Sequence, residues 1–468
     1  MENVLSYIPA ALAVLLMFGA SIFVHELGHF WVALRRKMQV DAFAIGLGPK
    51  IWGRVHNGIE YSIRWIPAGG FVRLPQMYTS ETLEGSGPSS GTPVPPAPPG
   101  SKILVALAGP VMNLIFAFIV ATIIYFVGLP VLINPSVIGR LDPKSPEAAM
   151  GIREGDRIVE FAGRPVKSWE EINNTVVLAR TNQFDAVIER EGVRRPYQLT
   201  AKVNPEIGLK WLNLEPHDHP VVGAVEPGMP AATAGLRKGD RFVSFDNVPV
   251  VSQEHLIELV KKREGKESVV VVEREGTPVT LHVTPRYDPQ TKRGRMGVVF
   301  AGGVYEVMKP GPTPWAQVYS VWERTVATLS AVMHSKETGV KASDFSGPVG
   351  ILASMFVETK TDYRRALNFL VLLNVSLALL NLLPMPVLDG GHIVMAIIEK
   401  IRRRPLSLKF VEYAYTGFAV LLLSFMLYVT FFDVRRLPRF KALLQTGSQV
   451  VEPGSPTPTN PPAPAPNR

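Results

Sequence analysis

The stretch Ser21-Ile-Phe-Val-His25-Glu26-Leu-Gly-His29-Phe-Trp-Val-Ala-Leu34 carries three ionisable side chains inside an apolar run that begins near Val4. Positions i and i+4 of a helix share one face, so His25 and His29 can bind one metal ion while Glu26 holds a water as general base. As a helix the whole run is about 45 Å long, more than a hydrocarbon core of about 30 Å requires. The stretch therefore predicts a metal site inside a membrane-spanning helix.

A cleaved signal peptide and a purely structural role are both disfavoured for this run. A signal peptide would begin with a basic segment, whereas this chain has Glu2, and no small-residue cleavage site precedes the charges at Arg35. Ionisable groups inside an apolar span cost several kcal/mol each, so a structural role does not account for all three. Lys37 marks the predicted cytoplasmic boundary, which places His29 roughly 12 Å and His25 about 18 Å inside the helix end.

Composition supports a membrane protein and excludes disulfides and thiolate metal ligands. Apolar residues make up 47% of the 468 residues, and they concentrate near the N-terminus, at 102–128 and in the C-terminal third. The net charge of +9 does not indicate a nucleic-acid partner, because the basic groups at 35–37 and 400–404 flank apolar spans as topology determinants. No cysteine is present, so disulfides and thiolate ligands are excluded, and any metal must bind to His, Asp or Glu.

The predicted fold is a multi-pass α-helical membrane protein with four transmembrane helices, a membrane-associated β-hairpin and two inserted α+β domains. The predicted segments are the first span at 1–36, a cytoplasmic loop and hairpin at 37–74, a linker rich in Pro, Gly and Ser at 75–101, the second span at 102–130, the two domains at 131–212 and 213–302, an amphipathic helix and connecting loop at 303–365, the third span at 366–398, a basic cytoplasmic loop at 399–409, the fourth span at 410–433, and a disordered Pro-rich tail at 447–468. The hairpin turn is predicted at Pro67-Ala-Gly-Gly70. The amphipathic helix lies either on the membrane surface or against the inserted domains.

The inserted region contains an internal repeat. Residues 146–161, Pro-Glu-Ala-Ala-Met-Gly-Ile-Arg-Glu-Gly-Asp-Arg-Ile-Val-Glu-Phe, realign with residues 230–245, Pro-Ala-Ala-Thr-Ala-Gly-Leu-Arg-Lys-Gly-Asp-Arg-Phe-Val-Ser-Phe. Each copy predicts a strand, a short helix, a Gly-Asp turn, a strand, a longer helix and more strands. The pattern resembles PDZ domains of the bacterial type, which implies peptide ligands or a steric gate for substrates.

A catalytic zinc needs three protein ligands and an open position for water, so a third ligand must come from elsewhere in the chain. Asn381-Leu-Leu-Pro384-Met-Pro386-Val-Leu-Asp389-Gly-Gly-His392 offers two candidates. Asp389 is favoured because the prolines can break the helix and aim its carboxylate inward. The alternatives are His392 as the ligand, or Asp389 as an ordinary turn residue before Gly-Gly.

The His-Glu-x-x-His motif, the Asn-x-x-Pro-x-Pro-x-x-Asp-Gly motif and the tandem PDZ-like domains together resemble the site-two protease family of intramembrane zinc metalloproteases. The resemblance covers about residues 4–441 and implies Zn²⁺, held by His25, His29 and Asp389, with Glu26 as general base. It also implies that Asn381 holds the substrate backbone and that the hairpin at 60–74 offers an edge strand. The expected substrate is a single-pass, anti-sigma-factor-like membrane protein that a first protease has already trimmed. Ser376 departs from the family, which usually carries a second Asn there.

The resemblance and the positive-inside rule predict a bacterial inner membrane protein with its site near the cytoplasmic side and both PDZ-like domains outside. Basic residues after the last span run against this rule: Arg435, Arg436, Arg439 and Lys441. A membrane-anchored PDZ adaptor without turnover is the alternative function, and Glu26 discriminates against it because an adaptor needs no general base. A metal transporter would carry polar pairs along several spans and is disfavoured.

Overall fold

The computed structural model describes residues 7–77, 97–132, 134–203, 208–218, 220–288, 293–301, 303–404, 406–446 and 449–452. Most of the predicted linker at 75–101 and of the predicted tail at 447–468 lies outside these ranges. The chain divides into two compact units. The helical unit comprises Met1–Leu129, Lys309–Val326 and Ser346–Arg435, and the module unit comprises Pro130–Met308, Ala327–Phe345 and Arg436–Arg468.

Twelve α-helices occur in the described part of the chain. They are α1 Ile8–Arg35, α2 Pro99–Val127, α3 Pro146–Ala149, α4 Trp169–Leu178, α5 Pro230–Thr233, α6 Gln253–Lys262, α7 Pro314–Met333, α8 Ser335–Thr338, α9 Pro348–Thr361, α10 Tyr363–Asn381, α11 Asp389–Arg402 and α12 Leu408–Thr446. A short 3-10 helix covers Ala342–Asp344.

The described strands are mostly in the module unit. They are β1 Ala42–His56, β2 Ile59–Arg73, β3 Leu129–Leu132, β4 Ile138–Arg140, β5 Arg157–Phe161, β6 Arg164–Pro165, β7 Gln183–Arg190, β8 Val193–Thr200, β9 Lys202–Val203, β10 Lys210–Trp211, β11 Glu215–Pro216, β12 Val222–Val225, β13 Arg241–Phe245, β14 Val248–Pro249, β15 Ser268–Arg274, β16 Thr277–Val283, β17 Arg286–Asp288, β18 Arg293–Arg295, β19 Val298–Phe300, β20 Val304–Met308 and β21 Gln449–Val451.

Four helical segments of the described chain are long and apolar enough to cross a membrane: Ile8–Arg35, Pro99–Val127, Tyr363–Asn381 and Lys409–Leu437. The predicted third span at 366–398 is not one helix, because α10 ends at Asn381 and α11 begins at Asp389. Pro384 and Pro386 explain the break, since proline lacks an N–H donor and disfavours helical backbone in the residue before it.

The chain turns back tightly on itself after this break. An ideal Cβ on Gly390 would collide with the carbonyl oxygen of Leu383, and one on Gly391 would collide with the carbonyl oxygen of Met385. Neither position therefore has room for a side chain beside the backbone. The two glycines allow α11 to begin against the broken segment, which fixes the position of its first residue, Asp389.

The internal repeat corresponds to two similar modules with separate cores. The first core contains buried side chains between Ile138 and Leu214, and the second contains buried side chains between Val222 and Met296. Their main sheets have equivalent strand orders, β6-β5-β7-β8 and β14-β13-β15-β16. Each core thus draws on one copy of the repeat alone.

In each repeat the aspartate of the Gly-Asp turn is buried, and its carboxylate pairs with an arginine. The guanidinium of Arg190 donates to both oxygens of Asp156, at 2.6 Å each, and to the carbonyl of Gly151. In the second copy, Arg274 donates to both oxygens of Asp240 at 2.7 Å. Bidentate pairing compensates the cost of burying the carboxylate, which explains why Asp recurs in register.

The predicted hairpin is present, and the chain reverses direction twice within it. Strands β1 and β2 pair as neighbours, with Val55 opposite Glu60, and they are joined by Asn57-Gly58. Both turn residues have positive φ, 50° and 78°, the conformation that matches the twist of a tight hairpin. The second reversal is at the predicted stretch Pro67-Ala-Gly-Gly70, because the segments of β2 on either side of it, 60–63 and 70–73, pair with residues 42–45 in opposite directions.

Two of the basic residues that run against the positive-inside rule have structural roles. The guanidinium of Arg436, near the end of α12, donates to the carbonyls of Ser343 at 2.5 Å and Phe345 at 3.1 Å. Its charge therefore satisfies backbone acceptors in the module unit. The guanidinium carbon of Arg435 lies 4.7 Å from the centre of the Phe431 ring, within the range of a cation–π contact.

Candidate metal centre

Helix α1 presents two imidazoles side by side. His25 and His29 are one turn apart and share a face of the helix, with their Nε2 atoms 3.1 Å apart. Both side chains are only 12–14% exposed. The two ring nitrogens are close enough to bind the same ion, and the helix that carries them is apolar enough to span a membrane.

Asp389 completes the cluster from the first turn of α11. Its Oδ2 lies 3.3 Å from His25 Nε2 and its Oδ1 lies 3.4 Å from His29 Nε2. Ligand atoms of these three residues all lie within 4.8 Å of one another. The break between α10 and α11 thus brings a carboxylate to the two imidazoles, although the residues are far apart in the sequence.

The alternative ligand lies in a different environment. His392 is on α11, and its ring nitrogens lie 3.1 and 2.9 Å from the hydroxyl of Tyr415 on α12. The group of residues whose ligand atoms converge contains Asp389 and not His392. Geometry therefore favours the aspartate as the third donor.

The three donors fit a divalent metal. Asp389 Oδ2 is buried beside His25 Nε2 and makes no hydrogen bond of good geometry within the described chain, as expected for an atom that would bind a metal. Two imidazole nitrogens and one carboxylate oxygen are a donor set found in catalytic zinc sites, which leave a fourth position open. No thiolate is available in this chain to favour softer metals.

Helix α2 passes close beside the imidazoles at Gly109. An ideal Cβ on Gly109 would collide with His29 Nε2 and would lie 2.7 Å from His25 Cε1. The helices are also close at Gly28, whose ideal Cβ would collide with the carbonyl oxygen of Ala108. Glycine at position 109 therefore leaves room for the two imidazole rings, and any side chain there would occupy that space.

Two more polar groups of α2 face the rings. His29 Nδ1 lies 2.8 Å from the carbonyl oxygen of Val105, and His25 Nδ1 lies 3.3 Å from Asn113 Nδ2. Sequence reasoning did not assign either contact. Asn113 did carry a signal, because it is a polar side chain inside the apolar second span.

Glu26 and Asn381 are the other two predicted site residues. The Glu26 side chain is half-buried, and its Cγ would lie 3.0 Å from an ideal Cβ on Gly70 of β2. Asn381, the last residue of α10, places Nδ2 3.5 Å from His25 Nε2. The predicted general base thus neighbours the hairpin, and the predicted substrate-binding amide neighbours the metal donors.

We expect Gly109→Ala to weaken zinc binding by about 10- to 100-fold, because the added methyl would displace both imidazoles. Chelator competition with the purified protein measures the change. Gly100→Ala is the matched control: it is the same substitution on the same helix, but its ideal Cβ has nothing within 4 Å. Equal zinc affinity in the two variants would contradict the expectation.

Comparison with known proteins identifies the family. A protein named "Regulator of sigma-E protease RseP" from Salmonella typhimurium is 29% identical over 456 residues, covering 91% of this chain and 98% of its own length. A protein from Neisseria meningitidis named "Putative zinc metalloprotease" is 30% identical over 437 residues, covering 88% of this chain and 96% of its own. Among solved structures, the PDZ domain of the SdrC-like protein from Listeria monocytogenes is 17% identical, with a TM-score of 0.17, and covers 18% of this chain and 87% of its own.

The family model that matches residues 13–425 describes peptidase family M50. This range begins before the two imidazoles of α1, extends past the carboxylate of α11, and includes both modules. It covers most of the 468 residues, and the chain belongs to peptidase family M50.

Proposed function

We propose that this chain is an intramembrane zinc endopeptidase that hydrolyses peptide bonds within or near transmembrane helices of single-pass substrates. One observation carries the proposal: His25 and His29, on an α1 helix apolar enough to span a membrane, converge with Asp389. Membership of a peptidase family is consistent with hydrolysis of peptide bonds at this site.

We assign His25, His29 and Asp389 as the zinc ligands. Two imidazoles and one carboxylate leave a tetrahedral zinc one open position, which a catalytic site requires. When bound, zinc supplies the Lewis acidity that makes water a nucleophile near neutral pH and polarises the scissile carbonyl. The name of the Neisseria meningitidis relative, which refers to zinc, supports this choice of metal.

Glu26 acts as general base in this proposal. Its carboxylate takes a proton from water as the water oxygen bonds to the carbonyl carbon, and gives that proton to the amide nitrogen as the C–N bond breaks. Glu26 follows His25 directly in α1, so its backbone is adjacent to that of a proposed metal ligand. No other residue needs to change its protonation state.

The hairpin and Asn381 present the substrate. A transmembrane helix must be unwound before its peptide bond is accessible, and the freed backbone can pair with an exposed strand edge. We propose β2 as that edge, because Gly70 packs beside Glu26. The amide of Asn381, 3.5 Å from His25 Nε2, is placed to hold the substrate backbone near the site.

We assign the two modules as PDZ-like domains on the extracytoplasmic side of the bacterial inner membrane. There they either bind a peptide or act as a gate that admits only trimmed substrates. The name of the Salmonella typhimurium relative refers to sigma-E, which supports an anti-sigma-factor-like substrate here, cleaved after a first protease has acted. An adaptor without turnover is the second candidate, and the carboxylate of Glu26, next to His25 in the sequence, is the feature it does not explain.

Removal of the metal tests the proposal. We expect the purified protein in detergent to cleave a model single-pass substrate, to lose cleavage after treatment with a zinc chelator, and to regain it when Zn²⁺ is added back. Mg²⁺ in place of Zn²⁺ should fail, because it prefers octahedral oxygen coordination to imidazole. Cleavage that persists in fully metal-free protein would refute the mechanism.

A further inference from the structure

One face of α2 packs against the imidazoles of the cluster. Val105, Gly109 and Asn113 are spaced four residues apart, so they line the same side of this helix. Gly109 leaves the space for the rings, while the residues one turn before and one turn after it supply polar contacts. The Nδ1 atoms, which face away from the cluster, are the atoms contacted.

The contact at His29 fixes the tautomer of that ring. A backbone carbonyl can only accept, so at 2.8 Å His29 Nδ1–H donates to the oxygen of Val105. The lone pair of Nε2 is then free to bind a metal. Metal-binding histidines commonly donate their second ring nitrogen in this way, which orients the ring and makes it a stronger ligand.

His25 has an amide in the corresponding place. Asn113 is 1% exposed, and its Oδ1 has no hydrogen-bond partner within the described chain. The oxygen and nitrogen of such an amide exchange places when it rotates by about 180°, so its contacts decide the orientation. Asn113 Oδ1, which faces away from His25, has no partner among the described residues. The contact with His25 Nδ1 therefore determines the orientation of the Asn113 amide.

We propose that Asn113 is a positioning residue for His25, and that its Oδ1 accepts the Nδ1–H bond whenever His25 Nε2 binds metal. This inference rests on the proposed zinc site. Asn113 on His25 and Val105 on His29 together make α2 the helix that selects the metal-binding tautomer of both histidines. In this proposal Asn113 acts through His25 and is not one of the converging metal donors.

The test is zinc affinity, measured by chelator competition on the full-length protein in detergent. We expect Asn113→Leu, which keeps the volume but removes the acceptor, to weaken binding about 10- to 100-fold. Asn113→Asp keeps an acceptor oxygen and should bind zinc as well as the wild type does, or more tightly. A role in packing alone would give the reverse order, because Leu would be tolerated and a buried carboxylate would not.

Asn374→Leu is the matched control. Asn374 is also a fully buried amide between helices of this unit, but its Nδ2 donates to Ser21 Oγ at 3.0 Å and not to a metal donor. Its removal should leave zinc affinity unchanged. If Asn113→Leu does not fold, Asn113→Asp still decides: weakened zinc binding in that variant would overturn the inference.

The two levels of the proposal fail differently. Wild-type protein without stoichiometric zinc would overturn the proposed function and this inference with it. Wild-type protein that binds zinc, together with Asn113→Leu of unchanged affinity, would overturn only the role of Asn113.

Discussion

Replacing Glu26 with Gln is expected to slow peptide hydrolysis by about 10²- to 10⁴-fold, the range that a positioned general acid–base group contributes. The carboxamide keeps the size of the side chain but cannot take a proton from water. Glu26 is not one of the three converging donors, so zinc content should stay at the wild-type level. Cleavage of a model single-pass substrate and metal analysis of the same preparation measure the two effects.

Glu412→Gln is the control for this variant. Glu412 lies exposed on α12 in the same unit, so the same chemical change there should affect neither cleavage nor zinc content. Undiminished cleavage by the Glu26→Gln protein would rule out the protease mechanism. Zinc binding with no turnover in the wild type would instead support the adaptor.

Removal of a metal donor should have a second large effect, this time on zinc itself. We expect His25→Ala and Asp389→Ala each to lose stoichiometric zinc, because two remaining protein donors do not hold a catalytic zinc firmly. Cleavage should fall with the metal, by about 10³-fold or more if zinc supplies several kcal/mol to the barrier. Metal analysis of both variants tests whether the two distant segments form one site.

His392→Ala separates the two candidate ligands of α11. His392 contacts the hydroxyl of Tyr415 and lies outside the converging group, so the variant should retain its zinc. The opposite result, zinc lost from His392→Ala and kept by Asp389→Ala, would assign the metal to the histidine. A folding control is circular dichroism of every variant.

Several features could be predicted because they depend on local patterns. The apolar runs that form α1 and α2 exceed the length of a bilayer span. Their length and hydropathy do not depend on which helices pack against them. Helical periodicity alone places His25 and His29 on one face. The in-register copies around Asp156 and Asp240 predicted repeated modules, because the same buried carboxylate needs the same turn in each.

Other features depend on contacts between distant segments and were not predictable from local patterns. Pro67-Ala-Gly-Gly70 has the composition of a turn, but the pairing of both flanking segments, 60–63 and 70–73, with the same residues 42–45 depends on how the chain folds back. Proline positions indicated a break in the third span, but where α11 begins depends on Gly390 and Gly391 packing against backbone. The partner of His25 on α2 could be known only once the helices were packed together.

The division of the proposed metal donors between α1 and α11 has a consequence for biosynthesis. The two imidazoles leave the ribosome early, whereas the carboxylate at position 389 emerges only after both modules and α10 have been made. A nascent chain would therefore insert its first spans before the proposed zinc site is complete. We expect that delay to keep an unfinished protease from cutting other helices that enter the membrane beside it.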